Sequence, residues 1–354
     1  MTGSKQRSCL DLADPVDFKG AENSDHSQAN AQSPHMQTMR TYLDFEKPIA
    51  ELEAKIDELK ALAASGSDIG DEVARLEEKA AQALIDTYDN LTPWQKVQVA
   101  RHPQRPHCLD YVKALITEFT PLAGDRKYGE DEAMIAGFGR FKGESICVLG
   151  QEKGATTDAR IKHNFGMAMP EGYRKAARLM EMADRFNIPV LSLADSAGAF
   201  PGKGAEERGT AEAIARSTDI SLQLGVPNVA IVTGEGMSGG AIAITTANRV
   251  LMFEHAIYSV ISPEAASSIL WRDNSKAQEA ANTMKITAQD MLRFGVIDSI
   301  IKEPAGGAHR DPAAMIAVTG DAIATAFGEL RNLDRDTIRN LRRQKFLEMG
   351  RKLS

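Results

Sequence analysis

Cysteine is scarce, and its placement excludes cross-linking. Cys9, Cys108 and Cys147 are odd in number and far apart, so they supply neither a disulfide framework nor a C-x-x-C metal half-site. They read as reduced thiols, which points to a cytoplasmic chain. Positive charge is also in deficit: 42 Lys and Arg stand against 49 Asp and Glu, a net charge of −7. Such a surface lacks the basic footprint that nucleic acid or an anionic membrane requires. No apolar run reads as a membrane span, and the first 35 residues hold no apolar core of a secretory signal. There is no H-E-x-x-H, and His102, His107 and Cys108 cluster without a second ligand pair, so no metal is expected. A G-x-x-x-x-G-K-[ST] run is absent as well, which argues against ATP handling by this chain.

What the 354 residues do contain is ample apolar material, 43% of the total, enough for a sizeable core. Residues 1–38 are polar and read as a disordered leader or tag, with Met36 and Met39 as alternative starts. Ile49, Leu52, Ile56 and Leu59 then recur at helical spacing, as do Ile69, Val73, Leu76, Ala80 and Leu84 after a break at Ser65-Gly66-Ser67. The two stripes predict a helical hairpin with an assembly role. Thr92-Pro93 opens a further helix. From Glu144 short apolar runs begin at Ile146, Val190, Val229, Val250 and Ile257, with helical patterns over 173–186 and 206–224 between them. Strands alternating with helices predict an α/β fold with buried strands. The tail from Pro312 is helical, and its Arg-rich part reads as a solvated face.

Glycine is concentrated where chemistry is expected. Gly234-Glu235-Gly236-Met237-Ser238-Gly239-Gly240 follows a strand and opens a helix. It fits a dinucleotide fingerprint, with Glu254 placed 20 residues on as the ribose acid. It fits a serine nucleophile turn, with Asp298 and His309 completing a triad. It fits tight packing of helix on strand. It also fits an oxyanion hole, because backbone amides at a helix start have no intrahelical partner and face the positive end of the dipole. Two other segments stand near it in the α/β pattern. One carries Lys153, Arg160 and Lys162, a local excess of positive charge suited to phosphates or an acidic carrier. The other, Asp195 to Gly204, contains the rigid Phe200-Pro201-Gly202 turn of a pocket wall. Glu206, Glu207 and Arg208 after it read as capping and solvating the next helix, and His309 as part of a polar turn.

These segments together match a family. Leu43-Asp44-Phe45-Glu46-Lys47-Pro48-Ile49, Asn164-Phe165-Gly166-Met167, Pro170-Glu171-Gly172-Tyr173, Gly204-Ala205-Glu206-Glu207-Arg208-Gly209, the Gly234 run, Tyr258-Ser259-Val260-Ile261-Ser262-Pro263-Glu264 and Gly306-Gly307-Ala308-His309-Arg310 occur in order. In these blocks the chain resembles the alpha subunits of bacterial acetyl-coenzyme A carboxylase carboxyltransferase. The resemblance implies a crotonase-like spiral of ββα units over residues 121–330, an N-terminal helical assembly region over 39–120 and a basic helix over 331–354. It implies carboxyl transfer from carboxybiotin to acetyl-CoA, giving malonyl-CoA for fatty-acid synthesis. Biotin would arrive on a carrier protein, biotin carboxylase would load it, and a beta subunit of the same fold, carrying zinc, would complete the site. By position, the amides of Gly239 and Gly240 would form the oxyanion hole. Gly198, Phe200, Gly202, Gly236, Met237 and Ser238 would line the substrate, and Lys153, Arg160 and Lys162 would face the carrier or the CoA phosphates. The family usually has glycine at Met237 and Ala265, and a Thr-Pro pair at Ser196-Ala197. A side chain at 237 resists positive φ, so a hole needing that conformation would be distorted there. Two other readings remain: a non-catalytic assembly homologue, and a stand-alone acyl-CoA hydratase or hydrolase.

Overall fold

The apolar stripes build α1 (Lys47–Ala64) and α2 (Gly70–Asp89). Ile56, Leu76 and Ala80 are buried between them, with Leu52, Leu59 and Val73 alongside. This computed structural model describes residues 40–64 and 69–351. The leader expected over 1–38, Cys9 and the Ser65-Gly66-Ser67 break lie outside the described residues.

Thr92 caps α3 (Pro93–Ala100) by accepting the Gln95 amide, with proline at the first turn. Next, α4 (Cys108–Leu115) runs directly into β1 (Ile116–Pro121), which pairs antiparallel with β2 (Met134–Phe141), and β2 with β3 (Glu144–Gln151). The β2–β3 turn is Lys142-Gly143, both at positive φ (48° and 85°), the turn whose twist suits a hairpin. The sequence patterns above did not locate β1 and β2. Two glycines in β2 explain why. A Cβ on Gly137 would sit 2.4 Å from the Thr120 carbonyl, and one on Gly139 would sit 2.5 Å from Ile116. Residues that look like strand breakers are what lets β1 lie close.

The remaining elements alternate. They are α5 (Thr157–Lys162), α6 (Pro170–Arg185), β4 (Val190–Ser196), α7 (Lys203–Glu207), α8 (Thr210–Gln223), β5 (Asn228–Met237), α9 (Ser238–Thr245), β6 (Arg249–Phe253) and β7 (Ile257–Ser259). Then come α10 (Pro263–Trp271), α11 (Ala277–Thr283), α12 (Ala288–Arg293), β8 (Ser299–Ile301), α13 (Pro312–Leu330) and α14 (Arg335–Glu348). The helix expected over 206–224 is split at Gly209, whose φ of 82° ends one helix and starts the next. The sheet order is β1-β2-β3-β4-β5-β6-β8, parallel from β3 onward. All ten residues of β5 are buried, and it has two partners in succession: Val229–Val232 pairs with β6, and Glu235–Met237 with β7. Past that handover the end of β5 leads directly into α9.

The C-terminal helices correct two expectations. Among the described residues α13 is long and apolar enough to cross a membrane, against the reading that no such run exists. Its Met315, Thr319, Ile323, Ala326 and Leu330 recur every three or four residues and are buried, the stripe of a core-facing helix. In α14, Arg342 is fully buried, not part of a solvated face. It donates to the carbonyls of Leu222, Leu224 and Val226 and to Asn248 Oδ1.

The Gly306–Arg310 turn is likewise not a self-sufficient polar turn. Arg310 pairs with Glu46 (3.0 Å) and Glu53 (2.7 Å), and the His309 ring stacks on His102 with centroids 3.8 Å apart. This clasp ties α1 and the turn before it to the segment between β8 and α13. Glu46 is 0% exposed, so losing its cation strands a buried charge, which costs about 3 kcal/mol. Arg310→Ala is expected to lower stability in urea by that order and to open residues 41–64 to limited proteolysis. Lys is expected to restore part of the loss.

Candidate functional site

The glycine run is not a loop. β5 continues through Gly234, Glu235 and Gly236 to Met237, and α9 begins at Ser238. The chain turns at Ser238, whose φ is 57°, while Met237 is extended at φ −120°. The distortion expected at Met237 is therefore absent. Its side chain is wholly buried with Val97, Ala100, Ile257, Ala281 and Ile286, so it belongs to the core and not to a substrate wall. Gly236 is corrected in the same way: a Cβ there would lie 2.9 Å from the Tyr258 ring and from Val232, so this glycine serves sheet packing. Ala265 lies in the first turn of α10, its amide donating to the Ser262 hydroxyl (3.1 Å), and needs no glycine either.

The other two glycines have a different environment. A Cβ on Gly240 would come within 2.7 Å of the Gly198 carbonyl carbon and 2.9 Å of the Ala199 nitrogen. Gly198 itself has φ 137°, and its missing side chain faces Ser238. Thus the end of β4 and the start of α9 meet backbone to backbone, and Gly198, Ser238, Gly239 and Gly240 share one corner. Ser196 Oγ donates to the Gly198 carbonyl (2.7 Å) and accepts the Gly198 amide (3.1 Å), so Gly198 contributes shape, not a donor. Phe200 folds over Gly202, where a Cβ would lie 2.4 Å from its ring. In α9 the N-cap residue Met237 offers no side-chain cap, so the amides of Ser238, Gly239 and Gly240 have no intrahelical partner. Gln151, buried at the end of β3, donates to the Gly240 carbonyl (2.9 Å) and fixes that turn. Sequence reasoning missed Gln151, which carries no local signal.

Linking the ends of β4 and β5 runs a chain of charges, buried at Asp195 and Glu235 and partly exposed at Arg101 and Glu264. Arg101 pairs with Glu235 (2.6 Å) and Glu264 (2.6 Å), Glu235 with Lys153 (2.8 Å), and Lys153 with Asp195 (2.7 Å). Asp195 also accepts the Glu235 amide (2.8 Å), in the space left by Gly234. Lys153 is therefore corrected: two carboxylates hold it, and it is not offered to a phosphate. Lys162 points outward to Glu132 (2.7 Å). Arg160 gives its Nε to the Gly154 carbonyl (3.2 Å). Arg208, read as solvating a helix, instead joins Glu171, Arg174 and Asp125 in a second buried network.

The serine and dinucleotide readings do not survive. Asp298 accepts the Val250 amide (2.6 Å) and pairs with Lys345, and His309 stacks on His102. Neither is turned on Ser238. Glu254 pairs with Lys302 (2.6 Å), and two of the fingerprint glycines lie inside β5. Among the described residues no group of His, Cys, Asp and Glu is arranged to hold a metal.

This α/β architecture, a mixed sheet parallel from β3 onward whose central strand passes straight into an amide-rich helix start, is the crotonase-like fold of carboxyltransferases. The structure is similar to that of transcarboxylase 12S with hydrolysed methylmalonyl-coenzyme A bound (TM-score 0.53, 19% identity, 65% of this chain and 42% of that one). It is also similar to a Pseudomonas malonate decarboxylase hetero-tetramer in complex with coenzyme A (TM-score 0.50, 16% identity, 61% and 86%). The chain thus spans less than half of the transcarboxylase chain, and both likenesses concern the fold alone. Sequence is more specific. The family model described as acetyl co-enzyme A carboxylase carboxyltransferase-like matches residues 42–350, and the chain belongs to that family. It is 79% identical over 316 residues to the acetyl-coenzyme A carboxylase carboxyl transferase subunit alpha of Bradyrhizobium sp. (strain ORS 278), covering 89% of this chain and 99% of the relative. It is 79% identical over 315 residues to that of Nitrobacter winogradskyi, covering 89% and 98%. Its activity is that of a carboxyltransferase alpha subunit within a multi-subunit acetyl-CoA carboxylase, in fatty-acid biosynthesis.

The charge chain is open to direct test. Burial works to raise the Glu235 carboxyl, but Lys153 and Arg101 beside it outweigh burial and hold it at about 2, below its ordinary 4.5. A depressed folded value means stability that is present above 4.5 and lost as pH falls toward 2. Glu235→Gln is expected to cost about 3 kcal/mol at pH 7 and to flatten the acid limb of stability between pH 4.5 and 2. Urea unfolding across that range measures both.

Proposed function

We propose that the amides of Gly239 and Gly240 stabilise the oxyanion that forms on the biotin ureido group as carboxybiotin gives up its carboxyl. The observation that carries this is the uncapped first turn of α9, pressed against Gly198 with no side chain between. The C–N bond to the carboxyl breaks, CO2 is released, and the electron pair passes to the ureido nitrogen and oxygen. Two preorganised N–H groups at the positive end of a helix meet that charge at no reorganisation cost. The ureido nitrogen then takes a proton from the acetyl methyl group, and the resulting enolate attacks CO2 to give malonyl-CoA. No protein base is required, which accords with Asp195 and Glu235 being locked in ion pairs.

On this reading a beta subunit of the same fold, carrying its own zinc, holds the enolate. Biotin arrives on a biotin carboxyl carrier protein loaded by biotin carboxylase. Phe200 and Gly202 wall the biotin side, and Ser238 lines it. Residues 39–120 serve assembly, and the complex is cytoplasmic, in keeping with the unpaired buried thiols of Cys108 and Cys147.

The test is exchange of carboxyl from malonyl-CoA to biocytin. The chain alone is expected to be inactive, and a complex with the beta subunit active. An inactive but well-formed complex would favour a non-catalytic homologue, and turnover by the chain alone would favour a hydratase or hydrolase. Within the active complex, Gly240→Ala is expected to lower kcat by about 100-fold or more, the scale of losing an oxyanion donor, since its Cβ displaces Gly198. Gly239→Ala meets only the flexible Ile214 side chain at 3.2 Å and is expected to cost less, as is Ser238→Ala. Equal losses from Ser238→Ala and Gly240→Ala would argue for side-chain chemistry instead.

A further inference from the structure

Beside Ala197, one residue from the corner at Gly198, lies a cavity of about 200 Å³. Its polar floor is the Arg101–Glu235–Lys153–Asp195 chain, whose charges are already paired. Arg105 on the same wall is committed to Glu303 at 2.8 and 2.9 Å. Two groups are not committed. His107 is only 6% exposed, and neither ring nitrogen has a hydrogen-bond partner. Burying an imidazole N–H with nothing to receive it is costly. Arg160 spends only its Nε, on the Gly154 carbonyl. Its two terminal nitrogens, the fork that matches an oxyanion, face no acid among the described residues.

Ala100, His102, Pro103 and Phe165 complete the wall, and Phe165 is distinctive. It sits in a run of three left-handed residues, Asn164, Phe165 and Gly166, with φ of 48°, 55° and 80°. Gly166 is held against the Asp195 carbonyl and the Lys153 side chain, so the strained turn is anchored to the same charge chain. Size narrows the occupant. Liquid water takes about 30 Å³ per molecule, and pockets for drug-sized ligands run from about 300 Å³ upward. The cavity suits one small ion and a few waters.

We propose that this cavity binds a small oxyanion of the phosphate class, held by the Arg160 guanidinium and the His107 imidazole. The ion is either free or a phosphate group of the acyl-CoA substrate. The second source rests on the carboxyltransferase reading, whereas the binding itself does not.

Equilibrium dialysis of radiolabelled inorganic phosphate against the purified chain, at low and constant ionic strength, tests the site. One saturable site per chain is expected, weakened about 10- to 100-fold in Arg160→Gln, the scale of losing charged hydrogen bonds. His107→Phe is expected to weaken it as well. Arg160 lies in a short, partly exposed helix, so its variant keeps the test valid if His107→Phe fails to fold. Absence of a saturable site, or unchanged binding in Arg160→Gln, overturns the proposal and leaves water as the partner of His107. In the assembled complex, phosphate competing with malonyl-CoA and a raised KM in Arg160→Gln would assign the site to the coenzyme. Binding without competition would assign it to a free ion. A complex without exchange activity would count against the carboxyltransferase reading and leave the dialysis result standing.

Discussion

The end of β5 depends on keeping Glu235 ionised inside a sheet. A lone buried carboxylate would protonate or unfold its surroundings. Here it is flanked by Arg101 from the end of α3 and by Lys153 beyond β3, and Lys153 is shared with Asp195 at the end of β4. The arrangement fixes three things at once. It ties the N-terminal helices to the sheet, it aligns the ends of β4 and β5, and it sets where the chain must turn into α9. Arg101 extends the tie to Glu264 in α10. The corner of Gly198 and Gly240 is therefore positioned by charges that are paired with one another.

The four glycines of the run divide their labour around that constraint. Gly234 makes room for the Asp195 carboxylate, and Gly236 for the Tyr258 ring. Both are consequences of packing a charged pair and an aromatic beside one strand. Gly239 and Gly240 instead open the first turn of α9, where the amides have no intrahelical partner. The packing reading of the sequence thus describes the first half of the segment, and the proposed oxyanion site concerns the second. A residue pattern alone could not divide them, because the boundary between β5 and α9 falls inside the pattern.

Legibility followed the range of the interactions. The strands β3 to β7 were readable because each contains a short apolar run, with β4 and β5 buried throughout. β1 and β2 were not, because β1 is an edge strand with mostly exposed residues and β2 carries glycines whose reason is a neighbour. Lys153 was legible as a charge but not as a paired one, since Glu235 lies 82 residues away. Gln151, Arg310 and Arg342 are the same case: each acts on a carbonyl or carboxylate that no local spacing announces. The family blocks, by contrast, were recognisable in full, and two of them, around Glu46 and Arg310, meet directly in the fold.

The departure at Met237 is explained by the same geometry. A glycine is required only where φ is positive or a backbone approaches closely. At 237 neither holds: the residue is extended, and its side chain fills the small core beneath α3 and α11. The positive φ falls one residue later, on Ser238, which must turn the chain so that α9 starts under Gly198. A non-glycine residue there carries strain of about 1 kcal/mol, held by β5 on one side and Gly240 on the other. Burying methionine at 237 adds apolar contact at the strand end and narrows the freedom of the turn that follows. Met237 therefore fills the core without bending the strand end, and the turn into α9 falls on Ser238.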